Sequence, residues 1–366
     1  MRKFVALLCV FVLVAGVFGG CGANDDRVVI NVYNWGQYIS EGDDGCIDVI
    51  AEFERLNPDI KVNYVTFDSN ETMYTKMAGG GITVDVIIPS DYMVGRLIEE
   101  DMLCQLNFDN IPNFKNIDDR WKNPGYDPEN KYSVPYSWGT VGIIYNTKYV
   151  KEADVTGWEL LWNEKYAGKI LMFDNSRDAF CIAQMRLGHE DINNPTPEQL
   201  LECAKLLEQQ RPVVQQYIMD QVFDLMENEE AWIAPYYAGD YLTMADENEN
   251  LAFYLPENQG FNRFVDAMCI PKCCKNQEAA ERFINFLCEP EFAGGNMDWI
   301  CYSTPLSEES GVFDYMEISS DDPLAYPSDE VLDRGSGYLA LPRTTTRLME
   351  ELFMQVRNGI TVHLPD

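Results

Sequence analysis

The sequence predicts an α/β protein of two lobes, and three observations carry that expectation. Apolar, β-branched runs alternate along the chain with segments whose apolar residues recur at helical spacing. Several runs end abruptly in aromatic and polar residues, as Val28-Val29-Ile30-Asn31-Val32-Tyr33 ends in Asn34-Trp35-Gly36-Gln37-Tyr38. The edge beyond the carboxyl ends of such strands is where open α/β sheets bind ligands. Trp35 and Tyr38 therefore either grip a ligand or cap the core of their lobe. At 366 residues the chain is also too long for one compact core and suits two.

Residues 1–21 have a separate job. Arg2 and Lys3 form a basic start, Phe4 to Phe18 are almost purely apolar, and Gly19-Gly20-Cys21 follow. That is the layout of a secretion signal, too short for a membrane span. Its small-small-Cys ending resembles the bacterial lipobox, in which the cysteine is diacylated and becomes the mature N-terminus, with Phe18 where leucine is usual. An ordinary signal peptide or an uncleaved anchor is the alternative. Residues 22–27 then form a tether. The expected location is outside the cytoplasm, held to the cell membrane through Cys21, or periplasmic in a Gram-negative cell.

The elements follow in order. Helical spacing over 47–56 is stopped by Asn57-Pro58. Residues 60–65 read as a strand and 70–77 as a second helix. Gly79-Gly80-Gly81 ends that helix; no Lys-Ser or Lys-Thr follows, so it is a terminator and not a phosphate loop. Residues 84–88 read as a buried parallel strand that ends in Pro89-Ser90-Asp91-Tyr92. The stretch 131–146, punctuated by Pro135, Gly139 and Gly142, reads as a crossing from lobe to lobe. Beyond it come a tryptophan-flanked segment at 158–162, a strand at 170–173 and a helix opening near Ser176. Further helices are expected at 197–208, 218–228 and 277–288, and a strand at 264–270 carries the chain back. Lobe 1 then comprises 28–139 and 265–310, and lobe 2 comprises 140–264 and 311–366.

Charge and cysteine content narrow the function. Removing the leader takes away Arg2 and Lys3, leaving 25 basic against 60 acidic residues, about −35. A phosphate backbone demands a basic footprint, so nucleic acid is excluded as a partner. A field of this sign attracts cations. Of eleven cysteines, Cys9 leaves with the leader and Cys21 is the lipidation site; nine remain, an odd number that cannot all pair within one chain. No paired Cys-x-x-Cys motifs occur and the only histidines are His189 and His363, so no metal site is expected. The sequence has no Gly-x-Ser-x-Gly elbow, no Walker loop and no His-Glu-x-x-His. An enzyme is not expected.

What recurs is an acid close to an aromatic after an apolar run. Asp178 and Phe180 follow the strand at 170–173; Tyr236, Tyr237, Asp240 and Tyr241 follow Ile233-Ala234-Pro235; Phe264 precedes Asp266; and Trp299 and Tyr302 lie in a late aromatic tract. Each is compatible with a structural role when taken singly.

Together these segments resemble a known family. Trp35-Gly36-Gln37-Tyr38, Ser69-Asn70-Glu71-Thr72-Met73-Tyr74, Pro89-Ser90-x-Tyr92, Tyr132-Ser133-Val134-Pro135-Tyr136-x-Trp138-Gly139 and Ile270-Pro271 are similar, in order and spacing, to the spermidine/putrescine-binding proteins of bacterial ABC importers. The similarity runs from about Val28 to the Tyr302-Ser303-Thr304-Pro305 tract. It implies a type II periplasmic-binding-protein fold, two lobes joined by a hinge with the ligand in the cleft. It also implies a monomer without catalytic activity, cofactor or metal that hands putrescine or spermidine to ABC permease subunits. By motif, Trp35 and Tyr38 match the family's first aromatic pair, and Ser90 and Tyr92 its second loop. Asp178 falls where the family keeps a glutamate, Tyr237 where it keeps a tryptophan, and Phe264 beside the hallmark acid Asp266. Asp240 resembles the putrescine-preferring branch. Asn175 replaces an acid of spermidine binders, and Gln37 an acid common to both branches.

The chemistry of the residues agrees with the resemblance. A polyamine carries ammonium ends that titrate near ~10, and burying them demands carboxylates. Asp178, Asp240 and Asp266 are the expected anchors, and Ser90 an acceptor. Trp35, Tyr38, Tyr92, Tyr237 and Phe264 form the expected box, with Tyr302 beside it, offering apolar walls and cation–π faces. Another organic cation, a sensor using the same fold, and a secreted hydrolase are the competing readings.

Overall fold

The structure is a computed structural model that describes residues 26–42, 45–189 and 191–364. The leader, Cys21 and residues 22–25 of the expected tether lie outside the described residues. The first half of the chain contains β1 (Val28–Trp35), α1 (Val49–Leu56), β2 (Ile60–Phe67), α2 (Asn70–Ala78), β3 (Val86–Ile87), α3 (Asp91–Glu99) and β4 (Ser133–Asn146). Next come β5 (Ile170–Phe173), α4 (Ser176–Leu187), α5 (Pro197–Gln210), β6 (Val214–Ile218), α6 (Val222–Glu227), β7 (Ile233–Tyr237) and α7 (Ala238–Glu247). The last third holds β8 (Leu251–Tyr254), β9 (Phe261–Cys269), α8 (Gln277–Phe286), α9 (Pro290–Ile300), α10 (Asp329–Leu332), β10 (Gly335–Ser336) and α11 (Arg343–Asn358).

Local chemistry sets most boundaries. Asp48, Ser69 and Asn175 accept backbone N–H bonds as N-caps of α1, α2 and α4. Thr196 and Gln199 form a reciprocal capping box at α5, whose first residue is Pro197. Gly188 ends α4 at φ +75°, a conformation glycine takes without penalty.

One sheet runs β2-β1-β3-β9-β4-β7-β5-β6, with β10 beside β9 and β8 beside β4. Strands β1, β2 and β3 pair in parallel, as do β7, β5 and β6, so each end of the sheet is a parallel α/β unit. The long β4 joins them. Its first half, from Ser133 to Thr140, pairs antiparallel with β9, and its second half pairs with β7 and β8. Thirteen of its fourteen residues are buried, so it is covered on both faces. The stretch expected to cross between lobes is thus a single strand, and its returning partner β9 begins three residues earlier than its expected start. A bulge between Pro135 and Ser137 falls where proline has no N–H to give to the ladder.

One expectation needs correcting. The helix expected over 218–228 begins only at Val222, because Ile218 closes β6 and Val222 N–H bonds to Met219 O to start a turn. The segment at 158–162 is a single 3-10 stretch, with Trp158, Leu160 and Leu161 buried. Among the described residues no helix is long and apolar enough to cross a membrane, and Cys46, Cys104, Cys181, Cys203, Cys269, Cys273, Cys274, Cys288 and Cys301 are unpaired.

Candidate functional site

The sheet brings the acid and aromatic residues to the ends of β1, β5 and β7 and to the middle of β9. Asp266 of β9 is 5 % exposed and accepts a 2.7 Å bond from the Tyr38 hydroxyl. Tyr38 also bonds Ser137 on the bulged part of β4, while Tyr136 donates to the Tyr38 carbonyl. Ser90, the N-cap of α3, bridges to Asp266 through the backbone. Burial pushes the Asp266 carboxyl up to about 6, and the bond from Tyr38 opposes that rise. Its Oδ1 is buried with no hydrogen-bond partner among the described residues. A carboxylate oxygen left in that state is costly unless a donor reaches it.

An aromatic wall runs from there to the other end of the cleft. Tyr38 packs edge-on against Tyr302 at 5.2 Å, Tyr302 lies 6.0 Å from Phe264, and Phe264 lies 5.4 Å from Tyr237. The Tyr302 hydroxyl donates to Asp240 at 3.0 Å; burial pushes that carboxyl up to about 7, opposed by the Tyr302 bond. Two glycines let the rings approach. A Cβ on Gly239 would stand 2.4 Å from the Tyr302 ring, and one on Gly139 2.8 Å from Phe264.

At the far end stands Asp178, in the first turn of α4 and 7 % exposed. It accepts from Asn175 Nδ2 at 2.7 Å, from the Tyr237 hydroxyl at 3.0 Å and from the Tyr338 hydroxyl at 2.9 Å. Burial raises its carboxyl, against the pull of those three bonds. Tyr92 packs edge-on against Tyr338 at 6.0 Å and donates to Glu71 at 2.9 Å, with Asn70 donating to its oxygen. Trp35 ends β1 against Phe67, its ring 4.7 Å away, and its indole N–H is buried without a partner.

Nine of the ten residues singled out from the sequence are joined by these hydrogen bonds and ring contacts, and Trp35 stands apart against Phe67. Sequence reasoning missed four neighbours: Ser137, Tyr136, Asp91 and Tyr338. Asp91 is 2 % exposed, accepts the Tyr338 N–H at 3.1 Å, and is pushed by burial up to about 8. Tyr338 follows Gly335-Ser336-Gly337, far along the chain and with no acid beside it, so it carried no signal.

The site's chemistry is that of a receptor for a cation with an apolar middle. A nucleophile with its base is not among these residues. Elsewhere, Cys203 lies 4.0 Å from His189, which faces Glu202 at 3.4 Å. That cysteine is fully buried and its thiol is pushed up to about 12, so it does not supply a thiolate. Among the described residues no cluster could hold a metal ion.

The model of the bacterial extracellular solute-binding proteins matches residues 48–310. The chain belongs to that family. The spermidine/putrescine-binding periplasmic protein 1 of Haemophilus influenzae is 30 % identical over 345 residues, covering 91 % of this chain and 92 % of that protein. The putrescine-binding periplasmic protein SpuD of Pseudomonas aeruginosa is 29 % identical, covering 98 % of this chain and all of that one. Among solved structures, the spermidine/putrescine ABC transporter substrate-binding protein PotD of Streptococcus pneumoniae superposes with TM-score 0.76 at 34 % identity, covering 91 % of this chain and 99 % of that one. The expected solute-binding-protein fold is thereby met. In this solute-binding protein most of the acids and rings stand where β1, β5 and β7 end, as doubly wound sheets favour, while Phe264 and Asp266 lie within β9.

Proposed function

We propose that this solute-binding protein captures a diamine or polyamine outside the cytoplasm, putrescine in preference to spermidine, and delivers it to an ABC permease. It acts by binding and release, not by turnover. The observation that carries the reading is the buried Asp266 oxygen without a partner, set at one end of the Tyr38, Tyr302, Phe264 and Tyr237 wall. An ammonium donating to it would remove the cost of that orphaned acceptor, and the rings would cover the methylenes. The relatives named for spermidine and putrescine support the ligand class.

The preference for putrescine follows from how the three acids are used. Asp178 already accepts three protein bonds, close to the capacity of a carboxylate, whereas Asp240 accepts one and Asp266 keeps a free oxygen. Two acids with spare capacity suit a ligand with two ammonium ends. Lobes divided at 139/140 and 264/265 would close about the β4 and β9 crossing as a hinge. In the same reading the protein is a monomer, with Cys21 as its lipid anchor.

Isothermal titration with putrescine, spermidine and a neutral amino acid tests the reading. Saturable binding of putrescine, tighter than spermidine and absent with the amino acid, is the expected result. Tighter spermidine binding would overturn the preference, and no heat from either amine would overturn the ligand class.

A further inference from the structure

We propose that the cavity at the carboxyl end of α4 is an oxyanion site, holding a small phosphate or carboxylate between Arg186 and Arg334. This goes beyond the polyamine reading and uses none of its residues. The cavity, of about 410 Å³, is lined by Arg186, His189, Asn258, Gln259, Arg334 and Ser336 among others. Arg186 lies eight residues beyond Asp178 on the same helix, about 12 Å along its axis.

What singles it out is a buried guanidinium donor without an acceptor. The chain has 60 acidic residues for 27 basic ones, so an arginine without a carboxylate partner is unexpected. Arg186 has no ion pair or hydrogen bond among the described residues; its guanidinium lies over the Trp162 ring at 4.1 Å, and its Nη1 is buried without an acceptor. Arg334 donates to the carbonyl oxygens of Pro256 at 2.8 Å and Glu257 at 2.5 Å, which neutralise no charge. Glu159, whose charge favours the Arg186 cation, accepts from Gln259 at 2.7 Å, and Glu202 faces His189. The two guanidiniums, with the amides of Asn258 and Gln259 beside them, offer donors, and no carboxylate lines the cavity among the described residues. Planar guanidinium forks match the oxygens of phosphate and carboxylate. The molecule's overall negative field opposes any anion at long range, so this site must hold its ligand by short-range bonds.

The test titrates inorganic phosphate and, separately, succinate into the full chain, with total ionic strength fixed by sodium chloride, and reads both heat and melting temperature. Saturable binding of either anion is expected, and the pair tells a phosphate site from a carboxylate one. R186Q and R334Q should each weaken it by about tenfold or more. R186K, which keeps the charge but loses the fork, should retain part of the affinity. The anion-free melting temperature of each variant establishes that it folds; if R186Q does not, R334Q carries the test. A response no greater than that to chloride, or variants that bind as tightly as the parent, would overturn the proposal.

Discussion

Replacing Asp266 with asparagine should stabilise the empty protein while removing most of its affinity for diamines. The carboxyl rises from 3.8 to about 6 on folding because it is buried. Holding it ionised at pH 7.5 therefore costs about 3 kcal/mol of stability. Asparagine keeps the shape and an oxygen for the Tyr38 hydroxyl, which now donates at 2.7 Å, and has no charge to desolvate. A gain of that size would raise the melting temperature by roughly 3–6 °C in a protein of this length. Binding moves the other way. Losing one buried charge partner costs ~2–5 kcal/mol of affinity, or roughly 30- to several-thousand-fold in Kd. Calorimetric titration with putrescine and thermal melts of the ligand-free variant read the two effects separately. A Kd within about threefold of the parent would refute the role of Asp266 as a cation anchor. A lower melting temperature would refute the argument from burial.

Two further outcomes follow from the same geometry. The acids pushed up to about 7 (Asp240), 6 (Asp266) and 8 (Asp91) bind more protons folded than unfolded across the range from their ordinary ~4 upward. Stability of the empty protein should therefore rise as pH falls from 8 towards 5, while putrescine affinity drops below pH ~7, by up to about tenfold per pH unit for each titrating anchor. Melts and titrations at pH 8, 7, 6 and 5 check both signs, and flat profiles would contradict them. Gly239→Ala should push Tyr302 off Phe264 and Tyr38, because its Cβ would stand 2.4 Å from that ring. The expected result is about tenfold weaker putrescine binding and a stability loss of ~1–3 kcal/mol in urea melts; an unchanged affinity would free Tyr302 of its role in the wall.

Much of the fold was legible because its signals are local. The stop at Asn57-Pro58, the glycines at 79–81 and the β-branched runs each act over a few residues, and the elements formed close to where those signals stand. The helix misplaced at 218–228 failed for the same reason: helical spacing of apolar residues does not reveal that Val214–Ile218 completes a parallel pair with β5. Eight aromatics and acids singled out from the sequence, together with Ser90, lie in one arrangement in the structure.

The sequence by itself determined the alternation of elements, the acidity of the molecule and the types of side chain offered to a ligand, since these depend on neighbours along the chain. Only the tertiary structure decided how the three acids differ. Asp178 accepts three bonds, from Asn175, Tyr237 and Tyr338, residues up to 160 positions away, whereas Asp266 keeps an unpartnered oxygen. A carboxyl's proton affinity and its spare hydrogen-bonding capacity are set by burial and by donors brought in from distant strands, and no local pattern encodes which donors will arrive.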